Sequence, residues 1–173
     1  MNSKDKKDYL FSILRILIGL IFLWAFFDKL IGLGFATCLN TETQKLEIMC
    51  DKAWLNGGSP TFGYLSYATK GPLAGFYQSL ASLPIVDWLF MFGLLGVGLT
   101  LTFGFLIRFG SLVGALMLFL MWTAVFPPEH HPFVDDHIIN IIILLGLAFI
   151  NTGKNWSLGN WWLNLSFLFK KII

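Results

Sequence analysis

The chain has 173 residues, of which 56% are hydrophobic and 13% charged, and its mean hydropathy is +0.71. One soluble core of this length cannot hide so much apolar surface, so a water-soluble globule is excluded and lipid is expected to form part of the solvent. The net charge is only +2, without a basic tract or a nucleic-acid fold motif, and nucleic acid is excluded as an expected partner.

A hydrocarbon layer of about 30 Å calls for roughly 20 apolar residues per helix. The sequence supplies such segments four times, which predicts an all-α membrane protein: a single domain over residues 1–173, built as a four-transmembrane-helix bundle with a long structured loop between the first two helices. The basic start MNSKDKK leads into an apolar stretch with no small-residue cleavage site, so the first helix is read as an uncleaved anchor.

The first span is expected over residues 9–35, interrupted only by Arg15, Asp28 and Lys29, and its helical period puts Arg15, Gly19, Phe22 and Phe26 on one face. Residues 36–86 form a connection too long for a passive link and therefore a candidate functional loop. Within it Pro72 can start a short amphipathic helix whose Leu73, Phe76, Tyr77, Leu80 and Leu83 lie at the lipid boundary, level with Phe62, Tyr64 and Tyr67. The second span covers 88–107, where Gly93, Gly96, Gly98, Thr100 and Gly104 read as close helix packing. Arg108 and Gly110 mark a short turn, and a third span over 109–126 ends at Pro127 and Pro128. The fourth, over 137–153, is short and begins in a polar turn at Asp135 and Asp136; Trp161, Trp162 and a basic end then form an interfacial tail.

Orientation follows the basic residues beside the spans. With both termini in the cytoplasm, Lys4, Lys6, Lys7, Arg15, Arg108, Lys154, Lys170 and Lys171 fall inside, and the opposite side is net acidic. The expected location is the cell membrane, multi-pass.

Three outer features can carry chemistry. PPEHHPFVDDH gathers Glu129, His130, His131, Asp135, Asp136 and His137; it can hold a metal, relay protons or bond a polar ligand head, or serve only as a capped, solvated helix start. Asp136 and Asn140, four apart, share a face. Asp28 and Lys29 close the first span and can accept protons, hold an anion or anchor the helix end; Arg15 can likewise snorkel to the headgroups. Cys38 and Cys50 can close a disulfide worth roughly 3 kcal/mol or cycle as a redox pair, although no CxxC is present. No nucleotide-binding glycine loop, nucleophile elbow or zincin helix occurs.

The strings RILIGLIFLWAFFDKLIGLGFAT, AWLNGGSPTFGYL, GPLAGFYQSLA, WLFMFGLLGVGLTLTFG, LMWTA and HPFVDDHIINIIILLGLA, in this order over nearly the whole chain, resemble the DoxX family, related to the DoxD-type small subunit of thiosulfate:quinone oxidoreductase. The resemblance implies a four-helix membrane protein tied to respiratory or sulfur-compound redox chemistry, often as a partner subunit. It carries over to Arg15, Trp24, Lys29, Trp54, Asn56, Gly57, Gly58, Ser59, Pro60, Trp122, Asp135, Asp136 and His137, expected to line one outer-facing cavity. His130 and His131 stand where the family pattern often has asparagine, and the Cys38 to Cys50 segment looks like a local elaboration.

A quinone site needs aromatic walls and polar groups at membrane depth that bind carbonyl oxygens and deliver protons. Trp24, Trp54, Trp88 and Trp122 are expected as walls, with Phe22 beside them and Asn140 and Arg15 as further cofactor contacts; Asp136, His137, Asp135 and Lys29 are expected to do the chemistry. The cofactor expected is ubiquinone or menaquinone; a metal would fall on His130, His131 and His137. The expected function is a subunit of a quinone-linked oxidoreductase, fed by thiosulfate or another sulfur compound. Its expected partners are the bilayer, quinone, and a protein subunit or a second copy. A non-catalytic anchor for a redox enzyme and a small-molecule transporter are the competing classes.

Overall fold

The computed structural model describes residues 3–39, 45–81, 83–129, 131–149 and 156–158. Among them the regular structure is helical: α1 (Ser3–Ile31), α2 (Ala74–Leu80), α3 (Pro84–Phe103), α4 (Ile107–Ala124) and α5 (Asp136–Phe149), with a 3-10 turn at Trp54–Asn56 and a π turn at Tyr64–Ala68. One isolated antiparallel bridge joins Leu39 to Leu46, and no strand forms among the described residues.

In α1 Ser12, Arg15, Ile18, Gly19, Phe22 and Asp28 are buried, the first five at helical spacing, while Leu10, Leu17 and Ile21 are more than half exposed. Polar groups inside and aliphatic ones outside is the reverse of a water-soluble helix, and it fits a hydrocarbon surround. Among the described residues three stretches are long and apolar enough to cross a membrane: Lys6–Ile31, Pro84–Phe103 and Ile107–Ala124. At 14 residues, α5 is about 21 Å long, short of the hydrocarbon layer.

Gly32 ends α1 in a left-handed conformation (φ 70°), its N–H bonded to Asp28 O at 2.8 Å. The Asp28 carboxylate then accepts the N–H groups of Phe35 and Ala36, both at 3.0 Å, which turns the chain back over the helix end. The Cys38–Cys50 disulfide is formed and closes the first part of the loop, with Met49 N–H bonded to Ile31 O at 2.9 Å.

Pro84 opens α3 at a position where its missing N–H costs nothing, and Asp87 suits the positive helix start. The helix therefore begins four residues before the expected span, and it ends four before. Gly104 caps it at φ 74°, with its N–H on Thr100 O at 3.0 Å. The tight turn is thus Gly104 to Leu106, not Arg108 to Gly110, both of which are helical. Gly110 is small for a different reason: a Cβ there would lie 2.8 Å from Thr100 Cβ. Of the small residues on α3, Gly98 admits Leu23 of α1, Gly93 admits Met117 of α4, and Gly96 faces open space.

Helix α1 packs on α3, α3 on α4, and α4 on α5. Ile18 and Phe22, Met91, Leu94, Val97 and Leu101, Ala115, and Leu144 and Leu147 make one shared core. Truncating fully buried Leu101 or Leu144 to Ala would cost about 2–5 kcal/mol. A second cluster of Leu65, Tyr77, Ala81 and Ala124 lays the loop across one end of α3 and α4. The expected lipid-facing side of α2 splits here: Tyr77 is buried and Leu80 half-buried, while Leu73, Phe76 and Leu83 stay exposed. Tyr77 turns inward because its hydroxyl finds a partner on α4 (below).

Candidate functional site

Between α1, α3, α4 and the overlying loop lies a cavity of about 300 Å³. Leu89 and Phe90 of α3 and Met117 and Met121 of α4 form its walls, Leu65 and Tyr77 its roof, and Lys29 is the one charged residue among the described residues on its lining. Leu89 and Leu120 line it while remaining 66% and 48% exposed, so its mouth lies on the outer surface of α3 and α4.

Each hydroxyl on the lining already has a place for its proton. Thr61 donates to Asp87 Oδ1 at 2.5 Å and Tyr64 to Met121 O at 3.1 Å. Tyr77 and Thr123 are 2.6 Å apart, and Thr123 donates to Leu120 O at 2.9 Å, so Tyr77 is the donor in its pair. Lys29 is different: among the described residues no protein acceptor binds its ammonium group, whose nearest ring is Phe90 at 6.0 Å. The carboxylate beside it in sequence, Asp28, is buried and engaged by two backbone N–H groups.

Asp87 holds the roof, its Oδ1 accepting from Ser59 Oγ at 2.8 Å and from Thr61 N–H at 3.2 Å in addition to the Thr61 hydroxyl. Lys70 N–H to Ala124 O at 3.0 Å fastens the far side. Sequence reasoning missed Asp87, Thr61, Tyr64 and Tyr77 as site residues; an acidic residue in the first turn of an apolar helix, facing the SPT triplet of the loop, is the signal that could have found them.

The polar cluster is organised by its own backbone. Asp135 Oδ1 caps α5 through Ile138 N–H at 3.1 Å, and Oδ2 meets His137 Nδ1 at 2.8 Å. His131 Nδ1 accepts N–H from Phe133 at 3.2 Å and Val134 at 3.0 Å, and Asn140 donates to Asp136 O at 2.8 Å. His130 lies outside the described residues. Among the described ones no group of three or more His, Cys, Asp or Glu side chains converges as a metal site; His131 and His137 point their Nδ1 atoms into their own turns. An open groove of about 700 Å³ runs beside Asp135 and Asp136, crossed by a 3.0 Å Lys70–Glu129 ion pair.

Cavity and cluster meet at Tyr64. Burial pushes its phenol up to about 12, with the negative charge of Asp135 and then Tyr77 adding to the effect.

None of the four tryptophans expected as walls lines this cavity. Trp24 is exposed with its edge on Phe35 at 5.1 Å, and Trp54 meets Trp88 at 4.7 Å outside the cavity. Trp122 packs on Phe126 at 5.1 Å and donates to Phe133 O at 3.1 Å. Arg15 sits fourteen residues, about 21 Å, from Lys29 along α1; fully buried, it donates to Leu101 O at 2.5 Å and Trp156 O at 2.9 Å, closing the carbonyl end of α3. Of the residues proposed for chemistry, Lys29 alone lines the cavity; Asp135 and His137 are a bonded pair outside it, and Asp136 lines the groove. Comparison of the chain with family models, curated proteins and solved structures yields no match.

Proposed function

We propose that the chain is a four-span membrane subunit of a quinone-linked oxidoreductase, with both termini in the cytoplasm and the Lys29 cavity as its quinone site. One observation carries this reading: an apolar cavity opening on the outer surface of α3 and α4, whose sole uncommitted side-chain hydrogen-bond donor among the described residues is a lysine. Its volume of about 300 Å³ lies at the lower end of small-molecule sites. Leu89, Phe90 and Met117 suit a flat apolar ring, and Lys29 suits a carbonyl oxygen. The likeness to the DoxX family points the same way.

When bound, a quinone supplies two-electron, two-proton redox chemistry. The chain's own residues would orient it and handle protons: Lys29 holds an oxygen by a charge-assisted hydrogen bond, and the Asp135–His137 pair offers a proton acceptor and donor at the aqueous edge near Tyr64. Exposed Lys6, Lys7 and Arg108 gather at the Arg15 end of the bundle, which supports placing that end inside. Helix α5 would make the fourth crossing, its polar first turn at the opposite edge. The electron donor is assigned to thiosulfate or a related sulfur compound, through a partner subunit.

Saturable, one-to-one binding of decylubiquinone or a short-chain menaquinone to the purified protein in nanodiscs is the expected result, weakened at least tenfold by Leu89→Trp, which fills the mouth. No saturable binding of either quinone rejects the reading.

A further inference from the structure

We infer that the Lys29 cavity selects, among lipophilic ligands entering from the bilayer, those that present an ionised oxygen to the ammonium group. The inference rests on reading this cavity as the ligand site and adds the charge of what it prefers.

Three features lead there. Among the described residues Lys29 is the only charged one on a lining that is otherwise aliphatic, aromatic or hydroxyl-bearing, and none of those lining residues is a carboxylate. An ammonium group in apolar surroundings has lost part of its hydration, and only hydrogen bonding together with opposite charge restores it fully. Thr61, Tyr64 and Tyr77 make their recorded bonds elsewhere, and none of their oxygens accepts a hydrogen bond from the Lys29 ammonium. Asp28, its neighbour in sequence, attracts Lys29 through space but forms no ion pair with it, and its two oxygens receive backbone N–H groups at 3.0 Å.

A neutral carbonyl supplies the missing acceptor. An ionised phenol, enol or carboxyl oxygen supplies it together with a negative charge in direct contact, which Asp28 does not provide, and the attraction is magnified where water is excluded. The walls then take the apolar body of the ligand: Met117 and Met121 adapt to its outline, and Phe90 offers a flat face. Exposed Leu89 and Leu120 at the mouth direct entry sideways from lipid. The acceptor oxygens of Tyr64 and Tyr77 stand ready for a ligand that keeps a hydroxyl proton.

The test uses a matched pair of probes carrying the same alkyl tail: a 2-hydroxy-1,4-naphthoquinone, ionised at pH 8, and its neutral 2-methoxy analogue. Equilibrium binding to the full chain is measured in zwitterionic nanodiscs. The wild type is expected to bind the ionised probe at least ten times more tightly; Lys29→Met should reduce that preference below twofold, and Lys29→Arg should keep it. The arginine variant also guards against a loss that reflects misfolding. A preference that persists in Lys29→Met, or equal affinities in the wild type, overturns the inference, and the second result leaves the quinone reading intact. Charge-dependent binding of laurate, lost in Lys29→Met, with no binding of either naphthoquinone, upholds the inference while rejecting the quinone reading.

Discussion

Tyr77 and Thr123 meet at 2.6 Å with the tyrosine as donor, and this one bond joins α2 to the last turn of α4 over a separation of 46 residues. It closes the roof of the cavity against its wall. Tyr77→Phe leaves the Thr123 oxygen short of its donor and should destabilise the protein by about 1 kcal/mol. Thermal unfolding in mild detergent would register the loss, and Thr123→Val combined with Tyr77→Phe should cost little more than either change alone.

Asp87 concentrates three donors on a single oxygen. Replacing it with Ala strands the hydroxyls of Ser59 and Thr61 and one N–H, so a loss of about 2–4 kcal/mol is expected, with Asn recovering roughly half. Faster protease cleavage within residues 59–81 would accompany the loss in Asp87→Ala. Unchanged cleavage would mean that other contacts hold the roof.

Arg15 supplies the donors for Leu101 O and Trp156 O where α3 has run out of N–H groups. Arg15→Met should therefore lower stability by about 1–3 kcal/mol. At about 21 Å from Lys29 along α1, the change should leave quinone affinity within twofold of wild type in the nanodisc assay.

Tyr64 predicts an alkaline limit. An unfolded tyrosine releases its proton near pH 10, whereas burial, with Asp135 and Tyr77 behind it, holds this one up to about 12. Its contribution to stability is whole below the lower value and lost as pH rises through the upper one. Between those values the wild type should weaken more steeply than Tyr64→Phe in denaturant titrations, and tyrosinate absorbance should show one group titrating late.

The chain pattern was legible where one residue type serves one purpose. The charge-free run from Trp88 to Ile107 predicts a helix because nothing in it requires water, and α3 occupies nearly that stretch. Of the expected Arg15, Gly19, Phe22 and Phe26 face, the first three are buried and Phe26 is half-buried against the core. The turn between α3 and α4 was misplaced because Gly104 and Gly110 look alike in sequence, yet one is needed for its backbone angle and the other for its lack of a side chain against Thr100.

Composition and periodicity alone determined that apolar helices form, that Arg15 shares a helix face with Phe22, and that Cys38 and Cys50 share one loop; that Arg15 is buried on α3 and does not snorkel to the headgroups was decided by the tertiary structure. Which donors remain uncommitted was decided only by the tertiary structure. Thr61, Tyr64 and Tyr77 reach acceptors 26, 57 and 46 residues away, and only that folding together leaves Lys29 as the donor facing the cavity. A hydrogen bond depends on tenths of an ångström between atoms, and helical period constrains only neighbours three or four residues apart.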